Sequence, residues 1–163
     1  MAAASPGSVS AHGRADWPFT IFALAFGALI GYVTFGFIAD RIGRRPTFAA
    51  YLVISAILVW IFGRTHDATE LMVLGPLVGF FGSGYFSAFG AFIAELFPTP
   101  VRGSAVGFCY NTGRMLSALA PTLIGSLSTT YGLGGALTFL AIAFLAGAIS
   151  IYFLPETRGR ELA

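Results

Sequence analysis

One charged side chain, Arg114, lies inside a long apolar stretch that runs from Gly103 to Tyr131. It follows Arg102 by twelve residues, which is about 18 Å along a helix. That distance places the guanidinium near the middle of a hydrocarbon core about 30 Å thick. Because a charge at this depth is costly, we expect Arg114 to face a cavity and to have a function. Its planar fork suits a carboxylate, and Asn111 shares its helix face, so the pair predicts a binding site for an organic anion.

A structural role for Arg114 is the alternative, in which helix carbonyls or an acidic residue from outside this chain satisfy the guanidinium. Pro121 follows Arg114 by seven residues. It has no backbone N–H to donate, so we expect a kink in the helix beside the predicted site.

A second group of charged residues lies in the segment GFIADRIGRRP, which joins the first two apolar stretches. A short turn on the positive side of a membrane accounts for the arginines alone. It does not account for the acidic residue or for the spacing of the glycines, of which the first allows close packing and the second a sharp turn. The residues of interest in this segment are Gly36, Asp40, Arg41, Gly43, Arg44 and Arg45.

This segment resembles the signature loop of the major facilitator superfamily, a glycine followed by Asp-Arg, a glycine and Arg-Arg. AELFPTPVRG, from Ala94 to Gly103, is similar to the loop between helices ten and eleven of its sugar porters and metabolite:proton symporters. LPETRGREL, from Leu154 to Leu162, is similar to their ending after helix twelve. Because that ending belongs to the C-terminal half, the resemblance assigns the chain to helices eight to twelve of such a transporter.

The resemblance also implies roles for charged residues at the cytoplasmic face. In the family, the arginines of the signature loop pair with acidic residues of the other two motifs, which stabilises the outward-facing state. Asp40 is expected to contact a helix of the other half, the missing N-terminal half. The expected network joins Arg41, Arg44 and Arg45 to Glu95, Arg102 and Glu156.

Apolar helices are expected to position these groups. Of the 163 residues, 56% are hydrophobic and 10% are charged, whereas about 25% are charged in soluble domains. We therefore predict an all-α integral membrane protein, a partial C-terminal bundle of a major facilitator fold. Its transmembrane bundle at 18–155 would lie between a disordered tail at 1–17 and a cytoplasmic tail at 156–163. The five predicted helices span about 19–39, 46–63, 71–94, 103–131 and 133–154.

The basic residues sort by loop, and this predicts the orientation. The loops after the first and third helices and the C-terminal tail carry most of the arginines, whereas the alternate loops carry only Arg64. The positive-inside rule places the arginine-rich segments, including the C-terminus, in the cytoplasm. Trp17, Trp60 and Tyr131 then lie at the outer interface. We predict a multi-pass cell-membrane protein of the bacterial inner-membrane type.

The function predicted first is proton-coupled uptake of a small carboxylate by alternating access, from a partial chain that does not transport alone. Its partners would be the bilayer, the substrate, protons, and a missing N-terminal half or a second copy. A scaffold or accessory subunit, and half of a sugar or other metabolite transporter, are the alternatives. Without a nucleophile–base pair, a His cluster or more than one cysteine, we predict no enzyme, no metal site, no cofactor and no nucleic-acid binding.

Overall fold

The computed structural model describes residues 17–65 and 67–155, and every regular element within them is an α-helix. This confirms the all-α prediction for the described part of the chain. The tail predicted at 156–163 and all but the last residue of the tail predicted at 1–17 lie outside the described residues. Trp17, the last residue of the predicted N-terminal tail, already belongs to the first helix. In chain order the helices are α1 (Trp17–Ile42), α2 (Arg44–Phe62), α3 (Ala68–Gly84), α4 (Phe86–Leu96), α5 (Arg102–Ser117) and α6 (Ala120–Tyr152).

The described residues form four long apolar helical stretches rather than the five that were predicted. They span Ile21–Ile42, Arg44–Phe62, Thr69–Leu96 and Arg102–Tyr152. The last has 51 residues, about 77 Å of helix, more than twice the ~30 Å of a hydrocarbon core. Gly132, with φ 73° and ψ 169°, divides it into two limbs. The count differs because a single non-helical residue separates the fourth and fifth predicted helices.

The second limb of α6 runs antiparallel to α2. At one end of the pair, a Cβ added to Gly134 would lie 2.6 Å from the carbonyl oxygen of Gly63. At the other end, the guanidinium of Arg45 lies 4.9 Å from the ring centre of Tyr152. The second limb, which begins after the kink at Gly132, therefore packs along the length of α2.

Glycines bring α1 and α3 into backbone contact. A Cβ added to Gly27 would overlap the carbonyl of Pro76, and one added to Gly31 would overlap that of Phe80. A Cβ added to Gly79 on α3 would overlap the carbonyl of Leu24 in the same way. Small residues promote such contacts in lipid, where burying apolar side chains gains little. Gly27 and Gly31 are four residues apart, so they lie on one face of α1, and this face is the one that packs against α3.

Gly36 behaves differently from the other glycines of α1. A Cβ added there would meet no atom of the described chain within 4 Å. The expectation that Gly36 allows tight packing is therefore wrong for contacts within the described residues. Gly43, by contrast, has φ 119° between α1 and α2, which confirms the sharp turn predicted there.

Aromatic rings fill the space between α1, α2 and α4. Phe35 lies edge-on to Phe48 and to Tyr51, with ring centres 4.8 Å apart in both pairs. The ring centre of Phe48 also lies 5.1 Å from the ring centre of Phe92 on α4. Such pairs contribute about 0.5–1.5 kcal/mol each beyond the area they bury. This cluster fixes α4, and with it Glu95 near the end of that helix, against α1 and α2.

Replacing Gly31 with alanine tests the backbone contact of α1 and α3. An added methyl group overlaps Phe80, so α1 must move away, and we expect the free energy of unfolding to fall by about 1–3 kcal/mol. The measurement is helical circular dichroism of the purified chain during SDS titration. Gly36→Ala on the same helix is the control, and it should be neutral or slightly stabilising because alanine favours helix. Equal midpoints for Gly31→Ala and the unmodified chain would contradict the packing described here.

Candidate functional site

Arg114 lies in the last turn of α5, immediately before an interruption of the helix. α5 ends at Ser117, and α6 begins at Ala120 with Pro121 in its first turn. Pro121 has no N–H for the carbonyl four residues earlier, that of Ser117. The turn at Ala118 and Leu119 fits the loss of this hydrogen bond, and the expected kink stays a prediction. The carbonyl of Arg114 accepts from the N–H of Ala118 at 3.1 Å and from Ser117 Oγ at 2.9 Å.

The Arg114 side chain borders a cavity of about 880 Å³ between α1, α4 and α5. This volume lies within the range of sites for small ligands. The cavity is lined by Tyr32, Tyr85, Phe86, Phe89, Tyr110, Gly113, Arg114, Ser117 and Ala118. We call it the Arg114 cavity.

Two helix interruptions border the Arg114 cavity. Tyr85 separates α3 from α4, and Ala118 lies in the gap between α5 and α6. Binding sites of secondary transporters are often formed by discontinuous helices. Here both interruptions are local, because Tyr85, Ala118 and Leu119 keep right-handed helical φ and ψ angles. The sequence predicts the interruption near Pro121. The one at Tyr85 lies inside the third predicted helix and was not foreseen.

Asn111, predicted as the neighbour of Arg114 in binding, is not among the residues that line the cavity. Its Nδ2 donates to the carbonyl of Gly107 at 2.7 Å, and its side chain is exposed on α5. The residue one turn before Arg114 on the cavity side is Tyr110 instead. A contribution of Asn111 to binding stays a prediction.

Aromatic residues of the cavity were missed by the sequence analysis. Phe86 and Phe89 are three positions apart on α4, and Tyr110 precedes Arg114 by four. These spacings place side chains on one helix face, so Tyr110 was recognisable from its distance to Arg114. Tyr32 was not, because only the packing of α1 against α3 brings it to the cavity.

At one end of the bundle, Arg44 and Glu95 form an ion pair. Arg44 Nη2 lies 2.8 Å from Glu95 Oε1, and the two side chains are 18% and 16% exposed. Glu95 Oε2 is buried without a hydrogen-bond partner among the described residues, whereas Oε1 is paired with Arg44. This contact is one that the family resemblance implies, and it joins the α1–α2 turn to the end of α4. We call this region the charged end.

Two more of the predicted residues make backbone contacts at the charged end. Arg45 donates from Nη2 to the carbonyl of Tyr152 on α6. Arg102 donates from Nε to the carbonyl of Ala94 at 2.9 Å, which joins the start of α5 to the end of α4. The arginines therefore connect helices through carbonyl oxygens as well as through carboxylates.

The remaining members of the predicted network contribute less to the contacts of the described residues. Asp40 Oδ1 lies 3.9 Å from Arg44 Nη2, but its side chain is 73% exposed. Arg41 is exposed. Glu156 lies outside the described residues. A role of the whole set in stabilising one state of a transporter stays a prediction.

Comparison with known sequences confirms the family resemblance. Residues 5–162 match the family model of the Major Facilitator Superfamily. The chain is 40% identical over 146 residues to the protein named "Probable 4-methylmuconolactone transporter" of Cupriavidus pinatubonensis. That alignment covers 86% of this chain and 33% of the relative.

Two other relatives differ in the compounds that their names give. The cis,cis-muconate transport protein of Acinetobacter baylyi is 32% identical over 129 residues, 78% of this chain and 31% of its own length. The glucose transporter GlcP of Staphylococcus epidermidis is 36% identical over 138 residues, 77% of this chain and 30% of its own length. The chain thus spans about a third of the length of the curated relatives it matches.

Glu95→Gln tests the ion pair at the charged end, because it removes the charge and keeps the shape. Arg44 then keeps a partly buried charge without its carboxylate, and we expect the free energy of unfolding to fall by about 1–3 kcal/mol. Asp40→Asn is the control, since an exposed pair contributes only about 0–1 kcal/mol. Both values come from SDS titration followed by circular dichroism. A loss for Asp40→Asn equal to that for Glu95→Gln would show that Glu95 has no special role.

Proposed function

We propose that this chain, which belongs to the Major Facilitator Superfamily, forms part of a multi-pass membrane transporter for small organic anions. The position of Arg114 on the Arg114 cavity supports this more than any other observation. A guanidinium that borders a space of ligand size at the middle of an apolar stretch has the charge and the donor geometry for a carboxylate.

The names of two relatives support the same substrate class. Muconate is a dicarboxylate, and 4-methylmuconolactone is a related organic acid. In the proposed site, Arg114 binds the carboxylate as a planar fork, with Ser117 one turn away on the same lining. Asn111 is proposed to assist only if α5 turns toward the ligand.

Alternating access would proceed by movement of this bundle against a second one around the site. The proposed second bundle is a missing N-terminal half or another copy of the chain, and it would supply the carboxylate that couples transport to protons. The charged end, with Arg44 and Glu95, would face the cytoplasm together with the C-terminus. Its ion pair would break and form again as the helices move.

An accessory or scaffold role is the second candidate, and the surface of α5 favours it. None of the described side chains of α5 is buried, so this helix presents a long face to a neighbour. In that case the chain would pack against a complete transporter and would leave transport unchanged when Arg114 is replaced. Because one relative is a glucose transporter, it is also an alternative that this chain is half of a sugar transporter.

Binding of radiolabelled cis,cis-muconate to the purified chain in lipid nanodiscs tests the proposed site. Charge-assisted hydrogen bonds contribute about 1.5–3 kcal/mol, so Arg114→Gln should weaken binding roughly tenfold to a hundredfold. Arg114→Lys should retain part of the affinity, because it keeps the charge without the fork. Arg64→Gln is the control: its guanidinium lies 3.8 Å from the Trp60 ring centre, away from the Arg114 cavity. Equal binding by Arg114→Gln and the unmodified chain would overturn the proposal.

Uptake into vesicles tests whether the chain acts alone. We expect no accumulation of muconate with this chain by itself, because one bundle has nothing to move against. Uptake that depends on Arg114 would refute this expectation. If uptake appears only with crosslinked dimers, a second copy is the missing partner.

A further inference from the structure

The side chains that line the Arg114 cavity are restricted in type. Apart from Arg114 and Ser117, the described lining consists of aromatic rings and very small residues. It includes no Leu, Ile, Val or Met, although 56% of the chain is hydrophobic. It also includes no amide and no carboxylate side chain among the described residues. A space that was lined only by lipid-facing positions would contain the aliphatic residues that dominate the rest of these helices.

Tyr85 and the first rings of α4 form a continuous aromatic wall on this cavity. Tyr85 and Phe86 are stacked, with ring centres 4.6 Å apart and planes inclined by 26°. Phe89 lies edge-on to Phe86, with centres 6.3 Å apart. All three residues line the cavity, across from Arg114 on α5. The site therefore combines one cation with an extended π surface.

We propose that the Arg114 cavity selects planar, unsaturated carboxylates, meaning aromatic-ring acids and conjugated acids, over saturated acids and sugars. Arg114 holds the carboxylate, and the Tyr85–Phe86 pair stacks against the π system of the ligand, which makes these two residues determinants of specificity. The inference rests on the proposed function of the same site.

The chemistry of the wall disfavours the other ligand classes. A saturated ring has no π system, so it gains only dispersion against Tyr85 and Phe86, whereas aromatic pairs gain about 0.5–1.5 kcal/mol more. A sugar needs several well-placed polar groups to bind its hydroxyls. The described wall supplies those only through phenols, one serine and a guanidinium.

A matched pair of acids isolates the π contribution. Benzoate and cyclohexanecarboxylate carry the same charge on a six-membered ring, and they differ in planarity and unsaturation. With the full chain in lipid nanodiscs, we expect benzoate to bind about twofold to tenfold more tightly by equilibrium dialysis. Phe86→Leu should remove most of this preference and leave cyclohexanecarboxylate binding nearly unchanged.

Two further variants control this result. Phe86 is half exposed, so its replacement leaves no core cavity, and Tyr85→Leu provides an independent change on the same wall. Phe108→Leu is the matched control, since this ring lies on α5, is 73% exposed and does not line the cavity. It should retain the preference for benzoate.

The possible outcomes distinguish failure of the selectivity from failure of the proposed function. Equal affinities for the two acids, both lost in Arg114→Gln, would overturn the selectivity and leave the organic-anion site intact. A preference for benzoate that survives both Phe86→Leu and Tyr85→Leu would overturn the assignment of the wall. If neither acid binds in a way that depends on Arg114, the proposed function and this inference are both overturned.

Discussion

Backbone contact between α1 and α3 is the constraint on which the rest of the bundle depends. Lipid supplies little drive to bury apolar side chains, so helices associate where small residues let them approach closely. At Gly31 this approach continues to the end of α3, where a Cβ on Gly84 would lie 2.9 Å from the Gly31 carbonyl oxygen. Tyr32 directly follows Gly31, and Tyr85 directly follows Gly84. Both tyrosines line the Arg114 cavity. The contact that holds the helices together thus also positions one side of the candidate site.

The charged end and the aromatic cluster act on the same helix. Phe92 anchors α4 in the ring cluster with Phe48, and Glu95 follows it by three residues, within one turn, to reach Arg44. A change in the ion pair is therefore transmitted to α4. Because Phe86 and Phe89 are on that helix, a rearrangement at the charged end would move the aromatic wall of the cavity.

The sequence predicts the parts of this structure that depend on local chemistry. The charge of Arg114 in an apolar stretch predicts its cavity, Pro121 predicts the nearby interruption, and the loop motifs predict the contact of Arg44 with Glu95. The predicted boundary between the fourth and fifth helices also falls at Gly132, where the backbone leaves helical geometry. What the sequence does not predict depends on packing between distant segments. The position of Tyr32 follows from a contact between α1 and α3.

The exposure of α5 has a consequence for energetics. This helix carries Arg114, its main contact is with α4, and none of its described side chains is buried. A ligand that contacts both Arg114 and the rings of α4 would connect α5 to α4, two helices that otherwise make few contacts. Thermodynamic linkage makes such an effect reciprocal: if a partner docked on α5 changes the affinity for the ligand, the ligand changes the affinity for that partner by the same factor. The same coupling free energy would then describe both the docking of a partner on α5 and the binding of the ligand at Arg114.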